Sequence, residues 1–174
     1  YAIIDPYLRR MPKEAILPHL PSVIRERREV EMSPKQEKAY VQMRDKLVAE
    51  LYNDTLAVAT TPLAKAQRLL QLASAYGEVF TTTDNEGKIH QEIELRDPSA
   101  TLDTFIDDID GFEGEQVAVF APPRKLIELL SARMKKLNIP HGLLTGAISE
   151  EERQFHMDNF QEGRTPFILC TTGA

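Results

Sequence analysis

Residues Gln116–Ala174 read QVAVFAPPRKLIELLSARMKKLNIPHGLLTGAISEEERQFHMDNFQEGRTPFILCTTGA, and their alternation of short apolar runs with amphipathic segments decides the fold. The runs are Gln116–Ala121, Ile139–Leu144 and Phe167–Thr171. Each is rich in Val, Ile, Leu or Phe without strict polar alternation, which predicts strands buried on both faces of a parallel sheet. Between the first two, Leu126, Leu129, Leu130, Met134 and Leu137 recur at helical spacing behind Pro122-Pro123, so Arg124–Asn138 reads as a helix. Between the second and third, Ser149 precedes Glu152 at capping-box spacing, and Phe155 and Phe160 are expected to form the apolar side of a helix stopping near Gly163. Two βαβ units sharing a strand make an open parallel sheet, whose ligands gather at the loops leaving the carboxyl ends of its strands. Those loops are Ala121–Arg124, Thr145–Ser149 and Thr171–Ala174. The last has only begun its turn at Ala174, and the chain opens at Tyr1 without Met, so a piece of a longer protein is expected.

At 174 residues and 42% hydrophobic, the chain can bury a core in one domain or one domain plus an appendage. No run approaches a membrane span of about 20 apolar residues, so no membrane partner is expected. The single cysteine, Cys170, lies inside an apolar run and reads as a small buried residue, which excludes a disulfide framework and fits a reducing cytoplasm. The histidines His19, His90, His141 and His156 lack metal-ligand spacing and are assigned no chemistry. The net charge of −6 is unevenly spread: residues 51–114 hold four Lys/Arg against twelve Asp/Glu, whereas residues 115–174 hold seven of each. A nucleic-acid face built from the two ends is compatible with this, as is ordinary solvated surface.

Upstream, Pro6, Pro12, Pro18 and Pro21 mark residues 1–22 as a wrapping segment or linker. Val23–Met32, with an approximate period of two, predicts an edge strand carrying Arg25 and Arg27 outward. Ser33-Pro34 opens a helix, with a Ser33–Gln36 capping-box pair and a stripe of Tyr40, Met43, Leu47 and Leu51. Asn53–Thr61 reads as a loop. A second helix follows from Pro62 to about Tyr76, with Leu63, Ala66, Leu70 and Ala73 on its core side and Gly77 as a stop. Val79–Leu95 reads as a hairpin around Asp84–Gly87, acidic on one face and peripheral to the core. Leu102, Phe105, Ile106 and Ile109 mark a helix ending at Gly111.

No Gly-x-x-x-x-Gly-Lys-Ser/Thr phosphate loop, no strand-terminal Asp-Glu pair and no Gly-x-Ser-x-Gly elbow occurs in the sequence. Nucleotide hydrolysis by these residues alone is therefore not expected, and no catalytic or metal residue is assigned.

The order of these elements resembles the second RecA-like lobe of the Swi/Snf-type ATPases, DNA translocases of the two-lobed helicase superfamily. The resemblance is densest at Leu144–Phe160, where Leu-Thr-Gly-Ala-Ile-Ser-Glu-Glu-Glu-Arg, with Phe160 in register, is similar to the family's Leu-Asp-Gly-Ser-Thr-Ser-Gln-Glu-Glu-Arg and later Phe. Val117–Phe120 resembles the family's preceding strand, and Phe167–Thr171 the strand entering its Ser-Thr-x-Ala-Gly-Gly element. Leu8-Arg9-Arg10 with Leu20-Pro21 resembles the segment joining the lobes, and Leu63–Leu72 the Leu-x-x-Leu-Arg-Gln helix with Arg68 in the Arg position. Departures occur at Ala121-Pro122-Pro123, which lacks a hydroxyl and two N–H donors of the family's loop, and at Thr101, where many relatives carry Lys.

The resemblance implies an α/β fold: an incomplete RecA-like parallel sheet with flanking helices, plus a helical appendage and a β-hairpin. Residues 1–32 would be the interlobe segment, 33–98 the helical pair with its acidic hairpin, and 99–174 the lobe, truncated after its third core strand. It implies a DNA-dependent ATPase or helicase parent of bacterial or phage type, cytoplasmic, with ATP and Mg bound mainly by a first RecA-like lobe of the same chain. This lobe would contribute grip on the DNA backbone and closure of the cleft. Residues placed to touch DNA phosphates are Arg124, Lys125, Gly146, Ser149, Arg153, Thr171 and Thr172. At Ser149 the rival reading is simple capping, since Glu150–Glu152 themselves satisfy the helix dipole. A DEAD-box-like RNA helicase lobe and a non-catalytic α/β interaction module are the alternative readings.

Overall fold

The structure, a computed structural model, describes residues 19, 23–51, 56–58, 61–83, 89–112 and 114–171. The expectations for Leu8–Arg10, Leu20-Pro21, the Asp84–Gly87 turn and Thr172 fall outside the described residues.

Val23–Met32 is not a strand: it pairs with no described strand, and Val23 and Ile24 are 80% and 83% exposed. Its alternation mixes charges into both parities, so neither face is apolar enough to bury. Helix α1 (Pro34–Lys46) starts where expected, with the Ser33 hydroxyl accepting the Gln36 N–H, but it stops at Leu47, whose left-handed φ of 60° caps it. Leu47 is exposed, and the buried stripe is Gln36, Ala39 and Met43. The segment expected to be a loop contains β2 (Leu56–Val58), antiparallel to β1 (Val48–Glu50), with Ala49 opposite Ala57 and both buried.

Helix α2 (Pro62–Ser74) is capped by Thr61. Its covered side carries Ala64, Leu69 and Leu72, while Leu63 and Leu70 are 69% and 47% exposed, so the core face is rotated from the expected stripe. The helix ends before Tyr76 and Gly77, which belong to β3 (Tyr76–Thr83), antiparallel to β4 (Ile89–Arg96). The hairpin is not peripheral: Ile93 and Leu95 of β4 are buried in the same core as Leu72, Leu102 and Ile127. At Gly77 the strands approach so closely that a Cβ would lie 2.6 Å from Ile93 Cγ2 and 2.9 Å from the Glu94 carbonyl oxygen. Helix α3 (Ala100–Asp107) follows, capped by the buried Ser99, whose hydroxyl also donates to the Ser74 carbonyl at 2.7 Å. A 3-10 turn over Ile109–Phe112 leads into the sheet.

Strands β5 (Val117–Ala121), β6 (His141–Leu144) and β7 (Phe167–Thr171) are parallel in the order β5-β7-β6, joined by α4 (Arg124–Lys136) and α5 (Glu150–Gln161). The βαβαβ reading is borne out, and the fold class is α/β. Phe167 and Leu169 of β7 enter the core beneath α4, and Phe167 meets Phe105 of α3 edge-on at 6.3 Å. Ile168 turns the other way, toward His156 of α5, where Gly142 leaves room for both. The two helices therefore cover opposite faces of the sheet.

Two packing expectations fail here. Phe155 is 62% exposed; it stands five residues from Phe160, about 140° around a helix of 3.6 residues per turn, so the two cannot share a face. Strand β5 is not buried on both faces either: α5 lies mainly over β6 and β7, which leaves Phe120 65% exposed. No helix among the described residues is long and apolar enough to cross a membrane.

Candidate nucleic-acid interface

Parallel pairing sets Ala121 beside Thr171, and Cys170 beside both Phe120 and Leu144. The carboxyl ends of all three strands therefore share one edge, with Thr171 between the loop that leaves β5 and the loop that leaves β6.

On the β5 side the chain turns through Pro122-Pro123 into α4. Pro123 is the N-cap but makes no side-chain hydrogen bond to the first turn, which contains no acidic residue. Arg124 Nε lies 2.9 Å from Glu128 and Lys125 Nζ 3.8 Å from the same carboxylate, so two half-exposed cations share one counter-charge.

On the β6 side Thr145 is buried, its hydroxyl accepting the Ala147 N–H at 3.3 Å. Gly146 is exposed and has open space where a Cβ would sit. Ser149 and Glu152 close a reciprocal capping box: the Ser149 hydroxyl accepts the Glu152 N–H at 3.2 Å, and the Glu152 carboxylate accepts the Ser149 N–H at 3.0 Å. Hydrogen bonds donated by the Ser149 N–H and, at 3.1 Å, by its hydroxyl hold the Glu152 carboxyl below its ordinary pKa. The Ser149 hydroxyl is thus already engaged within the protein. Arg153, one turn further, is three-quarters covered and lies 3.8 Å from Glu150. Its charge reaches Cys170, but burial dominates there and pushes the thiol pKa up.

The candidate residues thus divide into two groups. Arg124 and Lys125 begin the helix on one face of the sheet, and Ser149 and Arg153 begin the helix on the other. Thr171 stands at the edge between them.

A further basic residue was not singled out from the sequence as a site. Arg68 of α2 occupies the middle of a covered 64/68/72 line, and it lines a cleft of about 660 Å³ with Gln67, Gln71, Glu92, Arg124 and Lys125. Its guanidinium donates to the Gln91 carbonyl and, at 3.2 Å, to the Gln71 side-chain oxygen. The signal in the sequence was a charge set inside a helix's inward line.

Residues 100–174 match the model of the helicase conserved C-terminal domain. No curated protein matches the chain. Among solved structures, the chain is similar to the Sulfolobus solfataricus SWI2/SNF2 ATPase C-terminal domain, at 19% identity and a TM-score of 0.53 over 80% of this chain and 59% of that one. The likeness in fold extends into the residues before 100 as well as the sheet after it, since 80% coverage exceeds what residues 100–174 alone supply.

Proposed function

We propose that this chain, whose residues 100–174 match the helicase conserved C-terminal domain, is part of the second motor lobe of a Swi/Snf-type ATP-dependent DNA translocase. Its part in the motor is to hold the phosphate backbone and to close against a first RecA-like lobe. The observation that carries this reading is the β5-β7-β6 order, which gathers the Pro122–Lys125 loop, the Thr145–Ser149 loop and Thr171 along one edge. Arg124, Lys125 and Arg153 neutralise phosphates there; Gly146 permits close approach of a strand, and the hydroxyl of Thr171 donates to a phosphate oxygen. Such contacts position a strand and carry no base information.

ATP and Mg belong to the parent motor in this reading, but the residues of this chain do not fit them by themselves. The sequence offers no phosphate loop, and among the described residues no group of three or more His, Cys, Asp or Glu could hold a metal ion. The first lobe would bind them, and closure of the two lobes would couple nucleotide state to the grip on DNA. The isolated chain is accordingly expected to release no phosphate from ATP, and DNA-stimulated release by clean protein would overturn that expectation.

The deciding experiment is a fluorescence-anisotropy titration of duplex DNA at two salt concentrations. Weak binding without sequence preference, with Kd on the order of 10⁻⁴ to 10⁻⁶ M and steep loss at higher salt, supports the reading. Arg153→Ala, or charge reversal at Arg124 and Lys125, should weaken binding on all sequences alike, with thermal stability followed in parallel. Salt-insensitive or sequence-selective binding, or no binding by the folded chain at low salt, would overturn it.

A further inference from the structure

The α2 wall of the basic cleft carries a cation whose electrostatic partners within the protein are incomplete. Arg68 is half-buried, and its hydrogen-bond acceptors, the Gln91 carbonyl and the Gln71 side chain, are both neutral. Burial pushes its pKa down, and the charge of the Glu92 carboxylate offsets only part of this. A guanidinium withdrawn from water is ordinarily matched by an anion. Arg133, another well-covered arginine, shows the ordinary case: it is clasped by both Asp97 and Asp103.

The opposite wall repeats the imbalance, because Arg124 and Lys125 share Glu128. Three cations therefore meet two carboxylates, Glu92 and Glu128, around one cleft in a chain whose net charge is −6. Pro122 and Pro123 also line the cleft, and neither has a backbone N–H to offer. The two prolines supply no backbone donor to an anion, and the side chain of Arg68 is suited to the task. A guanidinium has five N–H donors in a planar fork, and Arg68 uses two of them internally.

We propose that this cleft seats a phosphodiester of a nucleic-acid strand, held by Arg68 from α2 on one side and by Arg124 and Lys125 on the other. The proposal rests on the reading of the lobe as a DNA-gripping element and extends it, making α2 a working wall of the interface. A strand seated there would bridge the segment before residue 100 and the sheet after it. Drawing the two together is then a consequence of binding.

The test measures binding of a 20-base-pair duplex by the full chain and by its Arg68→Ala and Arg68→Lys variants across a salt series. Arg68→Ala should weaken binding several-fold on every sequence and reduce the slope of log affinity against log salt by about one, with Arg68→Lys falling between. A second measurement needs no variant: modification of wild-type Arg68 by an arginine-selective dicarbonyl, read by mass spectrometry, should slow when duplex is present. If wild type binds DNA while Arg68→Ala keeps its affinity and slope, this proposal fails and the grip by Arg124, Lys125 and Arg153 stands. If folded wild type binds no DNA at low salt, both fail. Should Arg68→Ala not fold, the modification rate decides, protection supporting the proposal and an unchanged rate overturning it. Displacement of the DNA by polyglutamate at equal charge would overturn the assignment to nucleic acid.

Discussion

Gln36 and Ala100, 64 residues apart in sequence, are joined by a hydrogen bond: the Ala100 N–H at the start of α3 donates to Gln36 Oε1 at 3.1 Å. Gln36 is fully buried, and its side-chain nitrogen reaches the Leu72 carbonyl at 3.4 Å. One amide thereby ties α1 to α2 and to the first turn of α3.

Gln36→Leu should consequently destabilise the chain although it replaces a polar buried group by an apolar one. It removes the acceptor for Ala100 and the donor to Leu72, and orphaned buried backbone groups cost about 1–3 kcal/mol each. A clear drop in the urea midpoint is expected at constant slope. An unchanged midpoint would show that water or a shifted neighbour satisfies those groups.

Gly77→Ala tests whether the hairpin belongs to the core. The added methyl would meet Ile93 Cγ2 at 2.6 Å and the Glu94 carbonyl oxygen at 2.9 Å. The isoleucine can turn aside, but the carbonyl belongs to the backbone of the paired strand, so a loss of about 1–3 kcal/mol is expected. A peripheral hairpin would absorb the change with no shift in the global transition. Replacing the hairpin by a glycine linker should likewise unfold the chain, because Ile93 and Leu95 would leave the core.

The capping box at α5 makes a pH-dependent contribution whose sign follows from the Glu152 pKa. The folded-state value is depressed by the hydrogen bonds from Ser149. The contribution is present above the ordinary glutamate range and is lost as pH falls through that range toward the folded-state value. The gap in melting temperature between wild type and Glu152→Gln should therefore be largest near neutrality and shrink on acidification. A gap independent of pH would mean that shape rather than charge maintains the cap.

Cys170 should resist thiol reagents while the chain is folded. It is 5% exposed, and burial pushes its pKa up, with Arg153 offsetting only part of the effect. Labelling by an aromatic disulfide at neutral pH should follow the unfolding rate or the population of opened states. Rapid stoichiometric labelling of the native chain would show that β7 is accessible from the α5 side.

The sheet was legible because its evidence is local: each parallel strand is a short apolar run, each crossover is an amphipathic helix, and the handedness of βαβ units orders them. The carboxyl edge followed from the same rule, which is why Arg124, Ser149 and Thr171 could be placed there in advance, whereas Arg153 was implied by the resemblance. What was not legible depended on contacts between distant segments. Helix α2 has apolar residues at several positions around its axis, and only packing against α1 and β3 selects the side with Leu72 over the side with Leu63. Strands β1 and β2 are three residues each, too short for periodicity to register. The basic cleft draws its walls from residues 64–71, 91–93 and 122–125, and no pattern within any one of these announces the other two.

The position of β7 also bears on how the chain is made. It is the last of the seven described strands in sequence and the middle one in its sheet, so among the described strands β5 and β6 each pair with β7 alone. On a ribosome adding about 5–20 residues per second, the 27 residues from Leu144 to Thr171 take roughly one to five seconds to appear. During that interval both finished strands carry unpaired edges, and Phe120 is exposed with them. A nascent chain in this state is a target for chaperones and for mispairing with its neighbours on a polysome, and the inner edges are covered only when a five-residue segment slides between two strands already waiting for it.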